Sequence, residues 1–122
     1  MDTTAVGRVA EDTAAQWLQN HGLDIVERNA RTRYFELDIV ALDGETLVFV
    51  EVKYRRSRSC GGGVAAISTD KQRRLLAGAQ AWQAERGESD RPMRLDIIEV
   101  LGESRHYAIS HYPDCLVLDV RY

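Results

Sequence analysis

Two cysteines, two prolines and three histidines in 122 residues exclude several kinds of protein at once. Cys60 and Cys115 cannot build a disulfide framework, and neither sits in the short-spaced Cys/His pattern that a zinc site needs. They read as free, structurally incidental thiols. Two prolines and nine glycines are too few for a collagen-like or linker-dominated chain. No apolar run approaches the roughly 18 residues of a membrane-spanning helix. Met1 to Ala10 carries Asp2 and Arg8 and lacks the apolar stretch of a secretory signal. The expectation is a reduced, cytoplasmic protein that does not enter a membrane.

What is present is ordinary globular composition, 44% hydrophobic and 29% charged, at the size of one domain spanning residues 1–122. A chain this long buries about two thirds of its extended surface and needs no metal or disulfide to fold. Net charge is −3, which argues against a protein that coats nucleic acid along its whole surface. The basic residues are nevertheless segregated. Residues 28–33, 53–58 and 71–74 hold 10 of the 16 Lys and Arg and no Asp or Glu. Such windows either form a local positive face or remain three separate solvated segments.

Helical spacing of Val6, Val9, Ala10, Thr13, Ala14, Trp17 and Leu18 predicts a helix from Thr4 to about Asn20, closed by His21-Gly22. Leu23 to Glu27 reads as a short strand and Asn29 to Arg33 as a loop. Phe35 to Leu42 and the β-branched run Thr46 to Tyr54 read as strands joined by an Asp43-Gly44 turn. Arg55 to Ala66, with three successive glycines, reads as a mobile loop. A T-x-x-Q capping box at Thr69 and Gln72 opens a helix to about Glu85, stopped by Gly87. Met93 to Leu101, Arg105 to Tyr112 and Leu116 to Val120 read as strands. The order α-β-β-β-α-β, with further strands, predicts an α/β fold: a mixed central sheet flanked by helices.

The hairpin concentrates the acids. A two-residue Asp43-Gly44 loop sets Leu42 against Glu45, Asp38 against Phe49 and Glu36 against Glu51. Glu36, Asp38, Glu51 and Lys53 then share one face, with Asp38 diagonal to Glu51. At about 5 Å and an effective dielectric near 20, each carboxylate pair repels by roughly 3 kcal/mol. A divalent cation accounts for such a cluster, because Mg²⁺ takes a few carboxylate oxygens and keeps several waters. The alternative is a solvent-facing strand surface with ordinary Glu–Lys pairing. Glu11 lies about 20° from Leu18 on the helical wheel, at the border of the apolar stripe. It either reaches over the sheet toward Asp38 and Glu51 or leans into water.

Taken together, GRVAEDTAAQWL (Gly7 to Leu18), ERNARTR (Glu27 to Arg33), ELDIVALDG (Glu36 to Gly44), FVEVKYR (Phe49 to Arg55) and DKQRRL (Asp70 to Leu75) resemble the YraN family. RLDIIEV (Arg94 to Val100) is similar to its late strand. That bacterial family is classed with the PD-(D/E)XK nuclease superfamily and related to archaeal Holliday junction resolvases. The resemblance implies a restriction-endonuclease-like α-β-β-β-α-β core. It also implies that Asp38 is the Asp of the first motif, Glu51 and Lys53 the E-x-K, and Glu11 the helix-one Glu. Asp38, Glu51 and Glu11 would hold Mg²⁺ or Mn²⁺, and Lys53 would orient or activate the attacking water. The implied partner is nucleic acid, DNA in the first place, and the resolvase likeness implies a homodimer. The family pattern has Gly where this chain has Phe35, and the loop after Lys53 departs from it at Cys60 and the glycines that follow.

Two functions fit these observations. One is a metal-dependent endonuclease hydrolysing phosphodiester bonds, possible substrates including branched DNA. Arg31, Arg33, Arg55, Arg56, Lys71 and Arg74 would then grip flanking phosphates. The other is a non-catalytic nucleic-acid-binding or partner-binding protein on the same scaffold.

Overall fold

The computed structural model of the chain describes residues 3–33, 35–56, 68–103 and 106–115. Helix α1 (Thr3–Asn20) leads into strands β1 (Asp24–Arg31), β2 (Glu36–Asp43) and β3 (Thr46–Arg55). Helix α2 (Thr69–Glu85) then leads into β4 (Met93–Glu103) and β5 (His106–Tyr112). One five-stranded sheet runs in the order β1-β2-β3-β4-β5. Only β3 and β4 are parallel, and α2 bridges them. This is the mixed sheet with an α-β-β-β-α-β core that the pattern predicts. Helix α1 is not long and apolar enough to cross a membrane, and the same holds for α2.

Each element ends for a local reason. Helix α1 closes where Gly22, at φ +90, donates to Gln19 and Leu23 donates to Leu18, so the last carbonyls are satisfied. The α2 cap lies one residue earlier than the capping box at Thr69 predicts. The Ser68 hydroxyl accepts the Lys71 N–H at 3.1 Å, leaving Thr69 as the first helical residue. Strand β1 continues into the stretch read as a loop, as far as Arg31. Polarity hid it, because β1 is an edge strand whose Arg28, Asn29 and Arg31 are exposed. Of the loop expected from Arg55 to Ala66, Arg55 instead ends β3, and residues 57–66 lie outside the described residues, as does the Leu116 to Val120 strand.

Two apolar layers hold the sheet. Ala10, Ala14, Ala15 and Leu18 bring α1 down onto Ile39, Ala41, Val48, Val50, Ile98 and Val100. On the other face Ala79 and Trp82 of α2 cover Leu37, Val40, Leu47, Phe49 and Leu95. The indole of Trp82 meets the Phe49 ring edge-on at 5.6 Å. Phe35, where the family resemblance leads one to expect Gly, packs toward α2. A methyl group at Gly78 would come within 3.1 Å of its Cβ, so the small helix residue makes room for the large strand residue.

Asp96 is 1% exposed and fully paired. Arg94 Nε reaches it at 3.0 Å, His111 Nε2 lies at 2.7 Å, and the Asp114 N–H donates at 2.9 Å. These bonds tie β5 and the turn after it to β4. Cys115 closes that turn with its thiol toward the Leu95 carbonyl, and burial pushes the thiol pKa up to about 11. It stays protonated and unreactive at neutral pH.

Gly102 carries the tightest steric requirement of the β4–β5 connection. Its φ is +135, and a Cβ there would lie 2.1 Å from the His106 carbonyl oxygen. Gly102→Ala is therefore expected to lower stability by at least roughly 2 kcal/mol, read by urea denaturation. A variant as stable as wild type would contradict that close approach.

Candidate functional site

The β2–β3 hairpin turns one residue later than the sequence reading places it. Asp43 pairs with Thr46 across Gly44 and Glu45, with Gly44 at φ +60. The preference of Gly for the left-handed turn position, here the first loop residue, selects this register. Extended along the strands, it sets Asp38 against Glu51 rather than Phe49, and Glu36 against Lys53. The ladder itself stops at Ile39 and Val50.

Beyond that pair the two strands part, and Asp38 sits in the gap. Leu37 packs under α2 while Ile39 and Ala41 pack under α1, so the alternation of β2 breaks at Asp38. The same register would give the Val52 N–H to the backbone of Leu37. Instead it donates to Asp38 Oδ2 at 2.8 Å. A side-chain carboxylate has replaced a main-chain carbonyl as the ladder's acceptor. This position lets Asp38 meet both faces of the sheet.

Glu36, Asp38, Glu51 and Lys53 consequently do not share one face. On β3, Val48, Val50, Val52 and Tyr54 belong to the α1 side, and Leu47 and Phe49 to the α2 side. Glu51 and Lys53 continue the second series. Glu51 is 7% exposed and pairs with Lys71 of α2 at 3.2 Å. Asp38 nevertheless interacts with the Glu51 carboxyl, which raises its pKa, and also lines a cavity beneath α1 together with Glu11. Glu36 turns away and lies 3.9 Å from Arg31 across the β1–β2 ladder. The break in β2 at Asp38 separates these side chains, and no residue pattern announces it.

Glu11 does reach over the sheet. Asn29 Nδ2 donates to its carboxylate at 2.9 Å and Arg28 Nε at 3.2 Å. Asn29 has φ 52, a left-handed conformation that Asn tolerates better than most residues, and this turns its amide toward α1. Asn29 is the positioning residue that sequence reasoning missed; its taste for that conformation was the available signal.

Burial and charge act together on Asp38. Its pKa rises from 3.8 to about 7, first because burial disfavours the carboxylate and next because Glu51 is charged beside it. The bond from Val52 opposes the shift, and the hydrogen bond with Glu51 and the charge of Glu11 add to it. Near neutrality this carboxyl exchanges its proton readily.

The basic residues largely meet carboxylates, most of them from other parts of the fold and one, Asp70, from the same helical turn. Arg28 pairs with Glu11 and Asp12, Arg55 with Glu99 at 3.7 Å, Arg56 with Glu103 at 2.8 Å, and Arg73 with Asp70 at 3.8 Å. Lys71 reaches the acid gap itself. Arg33 lies past the end of β1, where its backbone N–H donates to Glu85 at 3.4 Å. Arg74 is exposed on α2 and, among the described residues, has no ion-pair partner. Lys53 is half-buried, likewise has no ion-pair partner among the described residues, and lies beside Glu99 in the β3–β4 register.

Asp38 and Glu51 offer hard oxygen donors, the kind Mg²⁺ and Mn²⁺ prefer, and their mutual repulsion is what a cation relieves. Among the described residues no three carboxylate, imidazole or thiol groups form a ready-made metal site. Two adjacent carboxylates match the common Mg²⁺ pattern of one or two acids with retained waters.

Fold and gap together define a small α/β domain whose acids gather where two strands separate. A model of the uncharacterised protein family UPF0102 matches residues 10–100. A UPF0102 protein of Desulforapulum autotrophicum is 48% identical over 105 residues, covering 86% of this chain and 87% of its own. One from Alcanivorax borkumensis is 46% identical over 107 residues, covering 87% and 86%. One from Chlorobium chlorochromatii is 43% identical over 118 residues, covering 92% and 91%. The chain belongs to the UPF0102 family, the YraN family that its sequence strings resemble.

Proposed function

We propose that this protein is a Mg²⁺- or Mn²⁺-dependent endonuclease that hydrolyses phosphodiester bonds in nucleic acid, branched DNA being the first substrate to test. The observation that carries this reading is Asp38, a carboxyl lodged in the strand gap between Glu51 and Glu11 at a cost the fold does not require. Asp38 and Glu51 would hold the ion and Glu11 would extend the set. When bound, the ion lowers the pKa of an attacking water and stabilises charge on the phosphate. Lys71, which pairs with Glu51 at 3.2 Å, would be available to a phosphate oxygen if an ion took that carboxylate. Lys53 supplies a compact positive charge for the developing oxyanion. Arg31, Arg33, Arg55, Arg56 and Arg74 add positive charge for flanking phosphates. A homodimer presents two such sites, as symmetric cutting of two strands requires.

One observation favours the non-catalytic alternative. Lys71 already neutralises Glu51 and Arg28 already neutralises Glu11, so those two acids are satisfied without an ion. Single-turnover assays on branched and linear duplexes separate the readings. Cleavage is expected with Mg²⁺ or Mn²⁺, none in EDTA, and none from Glu51→Gln in either condition. Cleavage in EDTA, or an active Glu51→Gln, would overturn the nuclease reading. Metal-independent binding with no cleavage would establish the binding module.

A further inference from the structure

Gly7 has no reason to be glycine that the chain itself supplies. It lies within α1, where glycine is among the poorest helix formers. Gly22, Gly44, Gly87 and Gly102 all have positive φ, and a Cβ at Gly78 would press on Phe35 and Leu37. Of the described glycines, Gly7 alone has neither feature; a Cβ there meets nothing within 4 Å. What Gly7 does border is a cavity of about 400 Å³ between α1 and the sheet. Gly7, Arg8 and Glu11 line it from the helix, and Asn29, Asp38 and Tyr54 from the strands.

Arg8 gives that cavity a cation. Among the described residues it is paired with no carboxylate, although Glu11 lies one turn along the same helix. Glu11 is held by Arg28 and Asn29 instead. Tyr54 lines it as well, with its hydroxyl committed to the Gly102 carbonyl at 2.8 Å. A volume near 400 Å³ lies within the roughly 300–1,000 Å³ of organic-ligand sites and far exceeds one inorganic ion.

We infer that this cavity seats one nucleotide unit of the nucleic-acid strand, with Arg8 on its phosphate and Gly7 leaving the entrance open. The inference rests on the reading of Asp38 as the reacting centre, because the cavity opens onto that carboxyl. The unit seated here is the neighbour of the scissile phosphate.

A 5′-phosphorylated dithymidine dinucleotide, beside its ribonucleotide counterpart, is the probe for amide NMR titration of the full chain without divalent metal. Wild type should show shifts at Gly7, Arg8, Asn29 and Tyr54. Gly7→Leu should fold normally and lose at least tenfold in affinity. Gly7→Ala should melt about 3–6 °C higher, as an open Cβ position in a helix predicts. Arg8→Gln should also lose about tenfold and show a shallower salt dependence. The stronger-binding arm identifies DNA or RNA as the source of the unit. Absence of shifts at these residues in wild type overturns the inference, as does equal affinity in Gly7→Leu. Cleavage assays keep the two claims apart. Metal-dependent cleavage that survives in Gly7→Leu removes the subsite and leaves the nuclease reading. Dinucleotide binding lost in Gly7→Leu, with no cleavage by wild type, keeps the subsite and removes the nuclease reading.

Discussion

At pH 8, Asp38→Asn should be more stable than the wild-type chain and should cleave nothing. The folded Asp38 carboxyl binds its proton more tightly than the unfolded one, with a pKa near 7 against 3.8. Stability contributed at low pH is therefore lost as pH rises from about 4 through about 7. That displacement corresponds to up to roughly 4 kcal/mol, or on the order of 10 °C in Tm for a domain of this size. Asn carries no charge, so it avoids this loss. Its amide oxygen can still accept the Val52 N–H, and its NH₂ can face Glu51. The gain should be largest at pH 8 and vanish near pH 4, where wild type is already protonated. Melting curves at the two pH values measure it, and a pH-independent difference would contradict the burial and charge described for Asp38. The expected loss of cleavage would have a separate cause, the loss of a proposed metal ligand.

The second large effect belongs to Lys53. A lysine serving only as surface charge is worth roughly 0–1 kcal/mol, and methionine would replace it with little consequence. A lysine acting on the transition state loses its effect in rate. Lys53→Met should keep metal binding and nucleic-acid affinity close to wild type while single-turnover cleavage falls about 100- to 1000-fold. Arginine should rescue poorly, because a planar fork does not replace a compact ammonium. Equal rates in wild type and Lys53→Met would remove Lys53 from the chemistry.

Much of this arrangement is legible in the residues. The β-branched run Thr46 to Tyr54 and the helical spacing from Val6 to Leu18 each specify an element by a period that burial enforces. An odd register sum also survives a one-residue shift of each turn position, so Asp38 and Glu51 stay neighbours although the paired residues change. Three things escaped. Polar edge strand β1 carries its pairing in main-chain bonds, which side-chain polarity conceals. The break at Asp38 exists because Leu37 is drawn under α2 and Ile39 under α1, a choice that only the packed layers make. The ion pairs of Lys71, Arg55 and Arg56 join residues far apart in the chain, so a basic window free of acids in sequence is not free of them in space.

That Asp38 and Glu51 together hold one divalent cation is tested most directly by calorimetric titration of Mn²⁺ without nucleic acid. Wild type and Asp38→Asn are compared at pH 6 and pH 8.5, each in two buffers of different ionisation enthalpy. Wild type should bind and release about one proton at pH 6 but very few at pH 8.5, because the ion displaces the proton that Asp38 holds only at the lower pH. Asp38→Asn should show neither the proton release nor comparable affinity. Equal Mn²⁺ binding by both proteins, or no binding by wild type at either pH, would contradict a metal centre at the strand gap.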